Sequence, residues 1–204
     1  NAAIKASPFG DGKSAIVFDG SNDYLTVGTN TVFDITSNTQ SFTFECWVYP
    51  VSINSSLTNG HEYRFTALIS KGLVYLNFGY ESDGTIKFMT YDSSSTYCQT
   101  SAGIMKSGEW QHLALVSNGG TVAIYYNGRS QTLNSTTLVR PDQGSGNGVG
   151  VNPRIGHADT NNASDALNGY LDEIRIVDGV AVYTGDFDVP TSRLSATQSA
   201  GTNI

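Results

Sequence analysis

From about residue 15 to residue 177 the apolar positions of the chain recur with a period of two. Phe42, Phe44, Cys46 and Val48 alternate with Thr43, Glu45, Trp47 and Tyr49, which predicts a half-buried strand with one apolar and one mixed face. Leu113 to Val116 and Thr121 to Tyr126 are β-rich runs separated by Ser117-Asn118-Gly119-Gly120, a hairpin signal. Asn127-Gly128 then turns the chain into a returning run from Arg129 to Leu133, and Asp83-Gly84 joins Leu73–Tyr80 to Thr85–Tyr91. Further strands are predicted over Ala15–Phe18, Tyr24–Val27, Phe65–Ser70, Arg154–Gly156 and Tyr170–Val177. Thr31–Ile35 is expected to form at most one helical turn. Roughly a dozen short strands with turn signals every 8–12 residues predict an all-β sandwich or barrel.

Three segments break the rhythm: a polar loop over Val51–Tyr63, a Ser-rich tip over Asp92–Tyr97, and a Gly/Asn/Asp-rich stretch over Arg140–Leu167. Loops of this length on a compact sandwich are either decoration or the working surface. No period of about 20–50 residues runs through the chain, so it reads as one unit and not a solenoid. Residues 12–190 are expected to form the domain, with 1–11 and 191–204 as connecting segments, poor in strand periodicity and rich in small polar residues. The chain opens on Asn1 and not on Met, as expected of a fragment or a processed product.

Charge narrows the class. With 11 Lys and Arg against 18 Asp and Glu the formal charge is −7, and no basic cluster occurs, which argues against nucleic acid and anionic membrane as partners. No apolar run approaches the roughly 20 residues of a membrane span, and no signal peptide is visible. Polarity comes mainly from Ser, Thr, Asn and Gly, as in a turn-rich β protein. Cys46 and Cys98 match no zinc or redox spacing. They read as two buried small side chains, with a single disulfide as the alternative.

Four ordered blocks carry a resemblance. Ser14-Ala-Ile-Val-Phe-Asp-Gly-Ser-Asn-Asp-Tyr-Leu25 resembles the F-D-G-x-x-D-Y-V/L opening of laminin-G-like, concanavalin-A-like jelly-roll domains. Ser41–Pro50 is similar to that family's F-T-x-E-x-W-V-x-P strand, Gly108–Val116 to its G-x-W-x-H-x-A strand, and Leu167–Ile176 to its G-x-x-D-E-x-R closing strand. The segment Asp178–Thr191 is similar to the endings of such domains in virion and tail proteins of marine bacteriophages. The resemblance implies an antiparallel two-sheet jelly roll, at home in a virion or outside the cell.

Catalysis in this fold would need paired carboxylates on one strand face, about 5–5.5 Å apart for retention. The E-x-D-x-x-E run of the related hydrolases is missing. Asp172 and Glu173 are adjacent and are expected to point to opposite faces, and Asp186 and Asp188 lie in the exit segment. His61, His112 and His157 have no Ser or Cys partner in a recognisable elbow, and His112 reads as a hydrogen-bonded structural residue. The chain is therefore expected not to be an enzyme.

Calcium takes six to eight oxygens. The resemblance implies a structural Ca2+ held by Asp172 together with the Asp19–Asn22 turn, with Asp19, Asn22 and Asp172 as the candidate ligands. The alternative reading is that Asp19-Gly20 is only a turn and that Asp172 caps a strand or pairs with Arg175. A second oxygen-rich stretch, Asp159–Asp165, lacks the closing Glu of an EF-hand, because Tyr170 stands at that position.

Sugar binding needs exposed rings beside planar polar groups. Trp47, Tyr49 and Tyr91 are the candidates, in a groove bordered by the loops at 52–63 and 143–164; some of Tyr75, Tyr80, Tyr97 and Tyr126 are also expected to face away from the core stripe, and the alternative for every one of these rings is packing under a loop. The expected function is a non-catalytic adhesion or structural module of a larger extracellular or virion protein, a bacteriophage capsid decoration or tail fibre. Its expected partners are cell-surface carbohydrate or neighbouring virion subunits in a larger assembly. The alternative is a glycoside hydrolase or polysaccharide lyase of the same fold with an atypical site.

Overall fold

The computed structural model describes residues 5–28, 33–53, 65–72, 75–142, 151–158 and 165–194, and the backbone of 202–203. Its strands are β1 (Ile16–Asp19), β2 (Leu25–Thr26), β3 (Phe42–Pro50), β4 (Thr66–Lys71), β5 (Leu76–Tyr80), β6 (Ile86–Asp92) and β7 (Ser94–Gln99). They continue with β8 (Gln111–Asn118), β9 (Thr121–Tyr126), β10 (Arg129–Ser130), β11 (Arg154–Ile155), β12 (Asn168–Asp178) and β13 (Thr202–Asn203). One antiparallel sheet runs β1-β12-β3-β8-β9-β10, with β13 added at the end of β12; the other runs β2-β11-β4-β5-β6-β7. The all-β, two-sheet sandwich expected from the period-two pattern is the observed architecture.

The core lies between the sheets because the alternating residues of each face it. Phe42, Phe44, Cys46 and Val48 of β3 meet Leu76, Phe78, Ile86 and Phe88 of the second sheet in one buried cluster. Phe44 and Phe78 touch across the gap at 5.7 Å between ring centroids, the edge-to-face geometry aromatic pairs prefer. Cys46 and Cys98 are both free and buried. Burial pushes both thiols up, Cys98 to about 11, so they behave as small apolar groups.

Three local readings change. Asp92–Tyr97 is not a loop tip: β7 pairs with β6 residue by residue from Asp92↔Ser94 to Lys87↔Gln99. Ser93, at φ 57°, takes the whole turn, and the run of Ser and Thr hides a strand because hydroxyl side chains suit an exposed edge as well as a loop. Residues 33–35 of the expected helical turn are irregular, with Phe33 at φ 59°; its ring is buried against Phe42 at 5.1 Å, and that packing overrides the local preference. Residues 31 and 32 lie outside the described residues, as do 54–63 of the first loop and 143–150 and 159–164 of the third. The return after Asn127-Gly128 is a strand only at Arg129–Ser130.

Residues 5–10 and 181–187, on either side of the sandwich strands, lie on the first sheet. Ala6 bridges Ser14, and Phe9 packs on Trp47 with centroids 6.1 Å apart. On the exit side, Tyr183 and Phe187 stack at 3.6 Å and cover Ala114, Val116 and Tyr125. The outer face of that sheet is therefore largely closed by the chain itself.

Candidate functional site

The outer face of the first sheet collects Glu45, His112 and Arg175 because these positions alternate with core residues on β3, β8 and β12. Glu45 and His112 have side chains with 0% exposure and meet at 3.1 Å. The Arg175 Nε donates to Glu45 Oε1 at 2.6 Å, and the Tyr183 hydroxyl donates to Glu45 Oε2 at 2.7 Å. Burial works to raise the Glu45 carboxyl, but the His112 hydrogen bond, the Arg175 charge and the Tyr183 hydroxyl outweigh it and hold the group below its ordinary range. Tyr183 is pushed up by burial and by the same carboxylate. The exit segment is stitched over the cluster, since Thr43 Oγ1 donates to the Val180 carbonyl at 3.0 Å and accepts from the Val182 N–H at 2.9 Å. Both carboxylate oxygens of Glu45 are thus engaged under a covering segment, and the cluster ties that segment to the sheet. His112 is buried and hydrogen-bonded, as the strand context led us to expect.

Asp172 and Glu173 depart from expectation. The register slips between Asp172 and Arg175 in a β-bulge, and Glu173 adopts φ 49°. The extra residue turns Glu173 to the side of Asp172. Both carboxylates then reach one nitrogen: Arg193 Nη1 lies 3.2 Å from Asp172 Oδ1 and 2.6 Å from Glu173 Oε1, while Arg193 Nε donates to Asp11 at 2.8 Å. The opposite-face expectation failed because strict alternation does not survive a bulge. Asp172 is thus paired with Arg193, not with Arg175.

The suggested calcium ligands do not converge. Asp19 pairs with Asn168, four residues along β12 from Asp172, or about 13 Å at strand rise. Asp19 Oδ1 instead accepts from the Ser21 N–H at 2.8 Å, and Asp23 accepts from the Asp19 N–H at 3.0 Å, an ordinary side-chain-closed turn. Asn22 lies exposed in that turn. Among the described residues no three His, Cys, Asp or Glu side chains gather as a metal site. The residues Asp19, Asn22 and Asp172 therefore do not fit a single ion. Of the stretch 159–165 only Asp165 is described, and it is buried.

The three ring candidates are placed as follows. Trp47 is half-buried between Phe9 and His112, and its indole N–H is buried. Tyr49 touches Trp110 and Tyr170, with Lys5 Nζ 3.8 Å above its ring. Both rings are already engaged by the chain's own groups. Tyr91 is half-buried near the end of β6, opposite Ser95.

An open ring stands elsewhere. Tyr24, directly before β2, is 46% exposed. It lines a shallow depression of about 410 Å³ together with Thr26, Val151, Asn152 and Arg154. Sheet pairing builds it: Arg154 lies opposite Thr26 on one side and Ser70 on the other. Because Ile155 points into the core, Arg154 points outward, and Tyr24 and Thr26 share that face two residues apart. The Arg154 guanidinium sits 4.4 Å from the Tyr24 ring centroid, and the His157 ring meets Tyr24 edge-on at 6.4 Å. Gly156 allows the close packing behind it: at φ +86°, a Cβ there would meet the Phe18 ring at 2.2 Å. A second open depression, at Asp34, Thr36, Ser37, Thr39, Gln40 and Asp178, is lined without an aromatic ring. Tyr24 was hidden in the sequence because it belongs to the opening strand motif, and its neighbour Arg154 is 130 positions away.

Comparison with known proteins follows the fold. The family described as the concanavalin A-like lectin/glucanases superfamily matches residues 19–182. No curated protein matches the sequence. Among solved structures, the enzymatically active domain of tailspike protein 2 of bacteriophage CBA120 aligns with a TM-score of 0.59 at 13% identity, over 88% of this chain and 27% of that one. NanB sialidase from Streptococcus pneumoniae aligns at 0.57 and 12% identity, over 85% and 26%. A proposed carbohydrate binding protein from Bacteroides ovatus aligns at 0.54 and 17% identity, over 83% and 44%. The chain therefore spans between about a quarter and under half of these solved chains, and the likeness is one of fold.

Proposed function

We propose a function for a chain that belongs to the concanavalin A-like lectin/glucanases superfamily: it is a non-catalytic carbohydrate-binding module of a longer extracellular or virion protein. The observation that carries this reading is the Tyr24 depression. It combines an exposed ring with hydrogen-bonding Asn152, Thr26 and Arg154 side chains on a rigid sheet edge. Sugar rings present C–H faces to aromatic rings and hydroxyl edges to planar polar groups, so this set suits a glycan in a shallow, solvent-open site. In support, tailspike, sialidase and carbohydrate-binding proteins all carry domains of this shape. A bacteriophage tail or capsid decoration that engages host-surface carbohydrate is the setting we favour, because the C-terminal segment resembles those proteins.

A rival reading is attached to one observation. Asp172 and Glu173 share a guanidinium nitrogen, so their oxygens come within about 6 Å of each other, close to the spacing of a retaining glycosidase. Arg193 sits between them and Asp172 is nearly buried, which argues for a structural ion cluster.

A glycan array with the purified chain tests the main reading. Binding that is lost in Tyr24→Ala and kept in Asp172→Asn supports it. Depolymerisation of any member of a polysaccharide panel, abolished by Asp172→Asn, would replace it with the hydrolase; an array without binding would leave no carbohydrate role.

A further inference from the structure

The lining of the Tyr24 depression is more specific than a ring beside polar groups. Arg154 is already engaged there, its guanidinium 4.4 Å from the centroid of the Tyr24 ring, and it steadies that ring as a platform. The rest of the lining is an amide, a hydroxyl and an apolar side chain: Asn152, Thr26 and Val151. Their placement follows from the sheet. Arg154 stands opposite Thr26, and the ladder runs one pair beyond β11, with the Val27 N–H donating to the Pro153 carbonyl at 3.0 Å. Asn152 therefore lies two residues from Arg154 on the same outward face, diagonal to Thr26 on the neighbouring strand. Diagonal neighbours of this kind are about 7–8 Å apart. Asn152 and Thr26 are exposed, and Val151, next to Asn152 in the chain, is half-buried.

We propose, on the basis of the carbohydrate reading above, that this site selects acetamido sugars, in which an N-acetyl group replaces one ring hydroxyl. A trans amide points its N–H and its C=O in opposite directions, so two separate protein groups must meet it. The diagonal separation of Asn152 and Thr26 matches the width of an amide with a hydrogen bond of about 2.9 Å at each end. In the complex the Asn152 side-chain amide donates to the acetamido carbonyl, and the Thr26 hydroxyl accepts from the acetamido N–H. The acetyl methyl rests on Val151, and the sugar ring lies against the exposed surface of Tyr24. A sugar with a hydroxyl in place of the acetamido group keeps the stacking. It spans too little of the gap to reach both polar partners, and it leaves Val151 uncovered.

The test measures affinity for probes that differ only at this group: chitotriose against cellotriose, and the methyl glycoside of N-acetylgalactosamine against that of galactose. The expected result is at least tenfold tighter binding by the acetamido member of a pair. De-acetylated chitotriose is a cation, which a chain of formal charge −7 attracts at long range; once salt screens that attraction it should bind no better than cellotriose. Asn152→Ala should erase the difference within the pair and leave weak binding of the hydroxyl member, Val151→Ser should remove part of the difference, and Tyr24→Ala should abolish all binding. Circular dichroism confirms that each variant is folded. Equal affinity within both pairs, or a tenfold preference that Asn152→Ala leaves intact, overturns acetamido selectivity and leaves the carbohydrate reading standing. Binding that survives Tyr24→Ala, or no binding of any probe, overturns the site itself.

Discussion

Replacing Glu45 by Gln tests the clamp that fastens the exit segment to the first sheet. The change keeps the shape of the side chain and removes one negative charge. Glu45 and His112 have no exposed side-chain surface and Arg175 only 11%. The substitution therefore leaves a nearly buried guanidinium without its carboxylate, and it turns an acceptor of the Arg175, Tyr183 and His112 contacts into an amide. Removing one partner of a buried ion pair costs about 3–5 kcal/mol. A domain of this size is stable by about 5–15 kcal/mol in all, so the loss should lower the melting midpoint by roughly 6–20 °C. Urea unfolding followed by tryptophan fluorescence gives the free energy directly. The pH dependence has a definite sign. Glu45 titrates below its ordinary value of 4.5 in the folded chain, so its contribution is present above that value and is lost as pH falls through the lower folded one. The Gln variant should lose that part of the acid limb. A destabilisation under about 1 kcal/mol, or an unchanged acid limb, would show that packing of Tyr183 and Phe187 and not charge holds the segment.

Three further outcomes follow from the same contacts. Arg193→Gln frees Asp11, Asp172 and Glu173 at once, and amide exchange should speed up roughly tenfold in residues 5–13 and 190–194; unchanged exchange would mean that the cluster is incidental. Gly156→Ala forces a left-handed backbone and a clash with the Phe18 ring, and should cost about 2–4 kcal/mol by urea unfolding; a neutral result would mean that β11 shifts freely. Thermal melts in calcium and in chelator should give the same difference for the unaltered chain and for Asp172→Asn, since Asp172 lies far from the Asp19 turn. A calcium increment lost only in the variant would restore the set Asp19, Asn22 and Asp172.

The sandwich was legible because its strands alternate cleanly. Phe42 to Val48 of β3 and Leu113 to Leu115 of β8 have one apolar face each, and Asn127-Gly128 marks its hairpin without ambiguity. β7 was not legible, because Ser94, Ser95 and Thr96 are as much at home in a loop as on an edge. Glu173 was misread because a bulge leaves no signature in a single sequence, and one inserted residue reverses the face of every position after it. The candidate site was the least legible part. Trp47 and Tyr49 do lie on the outer face, as alternation predicts, but the segments around Phe9 and Phe187 return over that face, and such long-range coverage is not encoded in local pattern. Tyr24 and Arg154 meet only because β11 inserts between β2 and β4, a pairing fixed by the closed core and by no nearby residue.

The most direct measurement of the account is a backbone-amide NMR titration of the intact chain with the tightest-binding glycan from the array. The account expects the shifts to gather on Tyr24, Thr26, Asn152 and Arg154 and to leave the Glu45 cluster and the Asp172 bulge unmoved, with the glycan recovered intact. Shifts centred on Trp47 and Tyr49, on the Thr36–Gln40 depression, or on Asp172 and Glu173 with cleavage of the glycan would contradict it.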